Sequence, residues 1–154
     1  MTELIEHVAI REYNDKTDRN FCLAPILQHF TYHSRRFFTY WTEEHKLDYV
    51  NTMYNTALHF FDGIVACDKN DPEILFAFLM ASRTENHIFF NYTKYLYRQI
   101  GIQSQMLIPI LIDKNSPITV NFTTPNSMKW KIKNQVKIVD KLFLNIMKGI
   151  EYEN

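Results

Sequence analysis

Three apolar runs crowded between residues 64 and 94 constrain this chain more than any other feature. Ile64, Val65, Ala66 and Cys67 form the first, residues 74–80 the second and residues 87–94 the third. Turn formers separate them: Asp68, Lys69, Asn70, Asp71 and Pro72 after the first run, residues 82–86 after the second. Short apolar runs joined by polar turns pair as neighbouring antiparallel strands. The second run is apolar throughout and long enough for a central strand, buried on both faces.

Upstream, residues 7–13 read as a strand that Asn14 and Asp15 break. Asp18 is the expected N-cap of a helix through Phe21, Leu23, Ile26, Leu27 and Phe30, with Pro25 kinking it or delaying its start. Thr42, followed by Glu43, Glu44 and His45, opens a second helix. Its apolar positions Val50, Met53, Tyr54, Ala57, Leu58 and Phe61 step by three and four, and Gly63 is its expected stop. Downstream, residues 101–112 read as a helix with a kink at Pro109, and residues 118–122 as a strand. Residues 123–127 form a turn into a lysine-rich helix through about Lys137, and residues 138–146 a last strand. The order β-α-α-β-β-β-α-β-α-β predicts one α/β domain over residues 1–154. Its sheet is mixed and mostly antiparallel, with flanking helices. One β-α-β crossover near the end requires locally parallel strands.

Composition excludes several classes. A chain of 154 residues, 46% hydrophobic and 15% aromatic, buries a core without staples and is not disordered. Lys plus Arg and Asp plus Glu balance at 17 each, so net charge supports neither nucleic-acid nor membrane binding. No apolar run reaches the ~18 residues of a membrane span. The polar, acidic start carries no secretory signal, and Cys22 and Cys67 lack framework spacing, so a reducing cytoplasmic location is expected. The six histidines form no HExxH-like pattern, and no metal site is read. Lys129, Lys131, Lys133, Lys137 and Lys141 crowd one late segment, either a solvated face or part of an anion site.

The segment that carries chemistry follows the third run. A strand passes through Arg98, Gln99 and Ile100 into Gly101, and a helix begins at once with Ile102, Gln103 and Ser104. A helix start turns unpaired N–H groups outward with the positive end of the dipole behind them, which is an anion site. Gly101 permits the turn, and Arg98 adds a cation. The pattern Arg98-x-x-Gly101-x-Gln103 resembles the pyrophosphate motif of the Gcn5-related N-acetyltransferases, with Gln103 where the family has Gly or Ala. Val65 to Asp68, Asp71-Pro72 and Ile74 to Ala77, with His87, Tyr92, Lys94, Tyr97 and Arg98, resemble a small phage and bacterial branch of that family.

The resemblance implies a GNAT-like fold whose strand before the motif splays from its downstream neighbour. It implies acetyl-CoA as cofactor, with the pantetheine arm along Asn91, Tyr92 and Thr93. The pyrophosphate would lie at Arg98, Gln99, Ile100, Gly101, Ile102, Gln103 and Ser104, with Asn126 and Lys129 meeting the cofactor again. The implied reaction is acyl transfer to an amine acceptor, a small molecule or a protein, with Glu85 or His87 as base. The family's usual general acid, a Tyr in the following helix, has no counterpart in residues 127–135. A second reading stays open: a catalytically degenerate GNAT-like binding or structural protein, phage-encoded or virion-associated. The aromatic and basic residues 33–41 border an acceptor pocket in such a fold. They serve equally as core packing or as a surface for a protein partner or a second copy.

Overall fold

The three apolar runs form consecutive antiparallel strands. The computed structural model describes residues 5–33, 40–122 and 135–153. In chain order the elements are β1 (Val8–Glu12), α1 (Asp15–His33), α2 (Glu43–Phe60), β2 (Asp62–Asp68), β3 (Leu75–Ser82) and β4 (His87–Thr93). A helical segment follows, π-wound over Ile102–Leu107 and then α3 (Ile108–Leu111). Strands β5 (Thr119–Val120) and β6 (Lys137–Ile138) and helix α4 (Lys141–Glu153) complete the described chain. The sheet runs β1-β2-β3-β4-β5-β6, antiparallel through β4 and parallel from β4 to β6. The mixed, mostly antiparallel sheet and the parallel crossover from β4 to β5 are therefore present.

Period-two alternation decides which side chain meets which layer. Ile64, Ala66, Leu79 and Ile88 face the helical segment through Ile102, Leu107, Ile108 and Leu111. Val65, Cys67, Phe78 and Met80 face α1 and α2 through Cys22, Ile26, Val50, Tyr54 and Ala57. Two bulges adjust this pattern. Ala66 pairs with Ala77 but Cys67 with Leu75, so Phe76 is the extra residue in β3. Met80 pairs with Phe90 but Ala81 with Ile88, so Phe89 is the extra residue in β4. The second bulge places the adjacent residues Phe89 and Phe90 in one and the same core cluster.

Several elements differ from the sequence expectation. Helix α1 begins at Asp15, three residues before the expected cap. Asn14 caps it by accepting from the Lys16 N–H at 3.1 Å, and Asp18 reaches back to the Asn14 N–H at 2.8 Å. Pro25 lies inside the continuous helix. Thr42 caps α2 as expected, accepting from the His45 N–H. Gly63 does not stop that helix: it lies in β2, where Tyr13 donates to its carbonyl at 3.0 Å. A methyl group there would stand 2.8 Å from Tyr13 Cβ. Gly63→Ala must push β1 from β2 and is expected to cost about 1–3 kcal/mol, read as a lower urea midpoint. The last strand expected over residues 138–146 is only the short β6 at Lys137–Ile138. The chain turns helical at Lys141, because Asp140 caps the helix through the Phe143 N–H at 2.9 Å. Lys137, the expected end of the lysine-rich helix, lies in β6; residues 123–134 lie outside the described residues.

Candidate functional site

The parallel pairing of β4 with β5 covers only His87↔Thr119 and Ile88↔Val120. The Asn121 N–H donates to the Ile88 carbonyl at 2.9 Å as the last rung. Beyond it Phe122 packs on Phe89 and Phe90 with ring centroids 5.4 and 6.1 Å apart. Among the described residues β4 continues to Thr93 paired with β3 alone, so its pairing with β5 opens into a fork beyond Asn121. The resemblance implies that the strand before the motif splays from its downstream neighbour beside Asn91, Tyr92 and Thr93; among the described residues the bulge falls at Phe89 and the strand pairing ends at Ile88. Lys94 donates to the Phe76 carbonyl, and pairing alternates from there. Tyr92 thus spends its main-chain groups on β3, while those of Asn91 and Thr93 face away from it.

The chain leaves β4 through a 3₁₀ turn at Tyr95–Tyr97 and two left-handed residues, Gln99 (φ 71°) and Gly101 (φ 90°). Gly101 immediately precedes the helical segment. The Gln105 N–H bonds back to the Gly101 carbonyl at 2.9 Å, and the Gln105 side chain folds over the glycine. Arg98 Nε donates to the Thr93 carbonyl at 2.9 Å. Its guanidinium carbon lies 5.7 Å from the ring centres of both Tyr92 and Tyr95. Its terminal nitrogens meet no acceptor among the described residues.

Gln103 neither blocks the helix start nor lies along the helix. Its amide turns onto the sheet and Nε2 donates to the Phe78 and Tyr92 carbonyls at 2.9 and 3.0 Å. Oε1 is buried without a hydrogen-bond partner among the described residues. Ile100 and Ile102 are core residues on the same sheet face. Ser104 contributes its carbonyl to Lys114 Nζ at 3.3 Å. Asn126 and Lys129 lie outside the described residues.

The two candidate bases differ in kind. His87 is fully buried beside Phe61. Nδ1 lies 2.7 Å from Thr119 Oγ1 and Nε2 2.9 Å from Asn121 Oδ1. Asn121 Nδ2 donates to the Asp140 carboxylate at 3.1 Å, and its Oδ1 also accepts from the Lys141 N–H at 3.0 Å. That orientation makes Nε2 the donor and Nδ1 the acceptor of the Thr119 hydroxyl. Burial pushes the imidazole pKa below its ordinary value, which outweighs the Asn121 hydrogen bond. With both nitrogens taken, His87 holds the base of the fork together. Glu85 is part-exposed at the head of β4, and Asn145 Nδ2 lies 3.4 Å from its Oε2.

Sequence reasoning missed Asn121 and Phe122, which set the fork. Their only local signal was a strand expected over residues 118–122; their partners lie 19 or more residues away in the chain. Comparison with protein-family models, with curated proteins and with solved structures returned no match.

Proposed function

We propose that this protein is an acyl-CoA-dependent N-acyltransferase, transferring an acetyl group to an amine. The observation that carries the reading is the succession of a forked strand, a left-handed glycine and a helix start, with Arg98 beside them. The residues fit coenzyme A. Gly101 leaves open the space a side chain would fill, closed now only by the flexible end of Gln105. Arg98 keeps terminal donors for a phosphate, anchored through Nε. Main-chain groups of Asn91 and the Thr93 N–H face away from β3, where an amide-bearing arm can pair as a further strand would.

Bound acetyl-CoA supplies an activated thioester to the attacking amine. In this reading Glu85 takes the amine proton through water, since His87 has no nitrogen to spare. The bulge at Phe89 interrupts the regular β3–β4 register, and a main-chain N–H beside it is the donor this reading assigns to the developing oxyanion. A second reading, a binding protein that has lost the reaction, is favoured by one observation: the buried, fully bonded state of His87. Calorimetry with coenzyme A and a thiol-release assay across a panel of amines separate the two. Arg98→Ala is expected to weaken coenzyme A by about 1.5–3 kcal/mol, roughly 10- to 150-fold. Equal affinity in the parent and variant would remove the site from this loop. Tight binding without thiol release to any amine would leave the binding protein.

A further inference from the structure

The 3₁₀ turn at Tyr95–Tyr97 divides its side chains between core and solvent. The Tyr97 ring lies against Phe76, centroids 4.3 Å apart, and packs on the core cluster beneath the helical segment. With the turn held there, Tyr95 and Leu96 keep 79% and 81% of their surface exposed. A tight turn favours glycine, asparagine, aspartate or serine, and its geometry demands neither a tyrosine nor a leucine. Single exposed apolar residues are ordinary. Here two adjoin a cation. The Arg98 guanidinium carbon lies 5.7 Å from the Tyr95 ring centre, and its Nε is fixed to the Thr93 carbonyl. Arg98 enters none of the ion pairs among the described residues.

The two features together select a ligand. The terminal N–H groups of Arg98 suit a phosphate. An exposed tyrosine ring with an apolar neighbour suits a flat aromatic ring, because stacking uses the ring face and not the polar edge. Tyr95 and Arg98 also move as one unit, since the Tyr95 carbonyl accepts from the Arg98 N–H at 3.3 Å. A ligand with a phosphate and an aromatic ring close together is a nucleotide. A phosphopantetheine arm carried by a protein has the phosphate and no base, and would leave Tyr95 and Leu96 in water. Coenzyme A has both.

We infer that Tyr95 and Leu96 seat the adenine ring of coenzyme A, which makes the acyl donor a free nucleotide thioester and not an acyl group on a carrier protein. The inference rests on the acyltransferase reading for the arm and the thioester; the seat is tested apart from both. Calorimetry of the full chain uses coenzyme A, adenosine 3′,5′-bisphosphate, which has base and phosphates and no arm, and 4′-phosphopantetheine, which has arm and phosphate and no base. The parent is expected to bind coenzyme A about tenfold or more tighter than phosphopantetheine. Tyr95→Ala is expected to lose about fivefold or more on coenzyme A and on the bisphosphate, and to leave phosphopantetheine unchanged. Its circular dichroism spectrum should match the parent, because the side chain is exposed. Tyr95→Phe is expected to bind all three like the parent, since the ring and not the hydroxyl stacks. Equal affinity of the parent for coenzyme A and phosphopantetheine, or an equal loss on all three ligands in Tyr95→Ala, would overturn the seat and leave the acyltransferase reading standing. Bisphosphate binding that Tyr95→Ala removes, with coenzyme A no tighter than the bisphosphate, would uphold the seat and remove that reading. No binding of either adenosine ligand by the parent would overturn the seat. A dimer in sedimentation velocity that Tyr95→Ala splits, in place of ligand binding, would assign the two side chains to a second copy instead.

Discussion

Asp18→Ala is expected to lose about 3–5 kcal/mol of unfolding free energy at neutral pH, the range for breaking a buried ion pair. Asp18 is fully buried, and both of its oxygens are engaged by Arg11, at 2.7 and 2.8 Å. The Asn14 N–H and the Thr17 hydroxyl complete its shell. Arg11 also holds the Pro72 carbonyl, so the pair ties β1, the start of α1 and the β2–β3 turn together. Arg11 is one-quarter exposed and can reach water once its partner is gone, which places the loss near the lower figure. Burial alone would raise the Asp18 pKa; the Arg11 hydrogen bonds, the Asn14 amide and Thr17 overcome it and hold the carboxyl below its ordinary 3.8. The unfolded chain therefore takes up the proton first as pH falls. The stabilisation is complete above about pH 4 and is lost as pH falls through the lower folded pKa. Urea titrations should show a steep acid loss in the parent that Asp18→Asn flattens; parallel slopes would mean the carboxylate carries no such linkage.

The helix and strand meander was legible because it depends on local spacing. The three runs alternate or are apolar throughout, and Thr42 with two following acids can only begin a helix. The pair Arg98 and Gly101 was legible for the same reason: a glycine at a positive φ before a helix is a local demand of the backbone. The last segment was not legible, because Leu142, Leu144 and Ile146 alternate as a strand would. Phe143 and Met147 fill the other parity, and only the cap by Asp140 decides for the helix. Gln103 shows a different limit. A long amide after the helix start is ambiguous until the carbonyls of Phe78 and Tyr92 are known to lie beneath it. The hub at His87 joins residues 32, 34 and more positions apart, and no pattern of spacing announces it.

Asn121→Ala is expected to cost about 3 kcal/mol, summing a stranded buried N–H donor of about 1–3 kcal/mol and a lost helix cap of about 1 kcal/mol. One side-chain oxygen accepts from His87 Nε2 and from the Lys141 and Leu142 N–H groups, the last at 3.4 Å. Its removal frees the start of α4 and the closed end of the fork together. The same hub is sensitive to pH. A proton on His87 can keep both hydrogen bonds, because the Thr119 hydroxyl can turn to accept. The cost lies in placing charge in a buried site beside Lys141 and the positive end of α4; Glu85 and Asp140 offset part of it. With the folded pKa depressed, the unfolded chain binds a proton that the native chain resists below about pH 6.5. Native stability contributed by neutral His87 is therefore complete above that pH and declines as pH falls toward the folded value. This window opens at a higher pH than that of Asp18, so in one titration His87 begins to act first. His87→Gln keeps a donor for Asn121 and cannot titrate. Its stability should fall less between pH 7 and pH 5 than that of the parent, even if it is lower at pH 7. Equal declines would show that the imidazole does not carry the acid sensitivity, and that the fork is held by Asn121 alone.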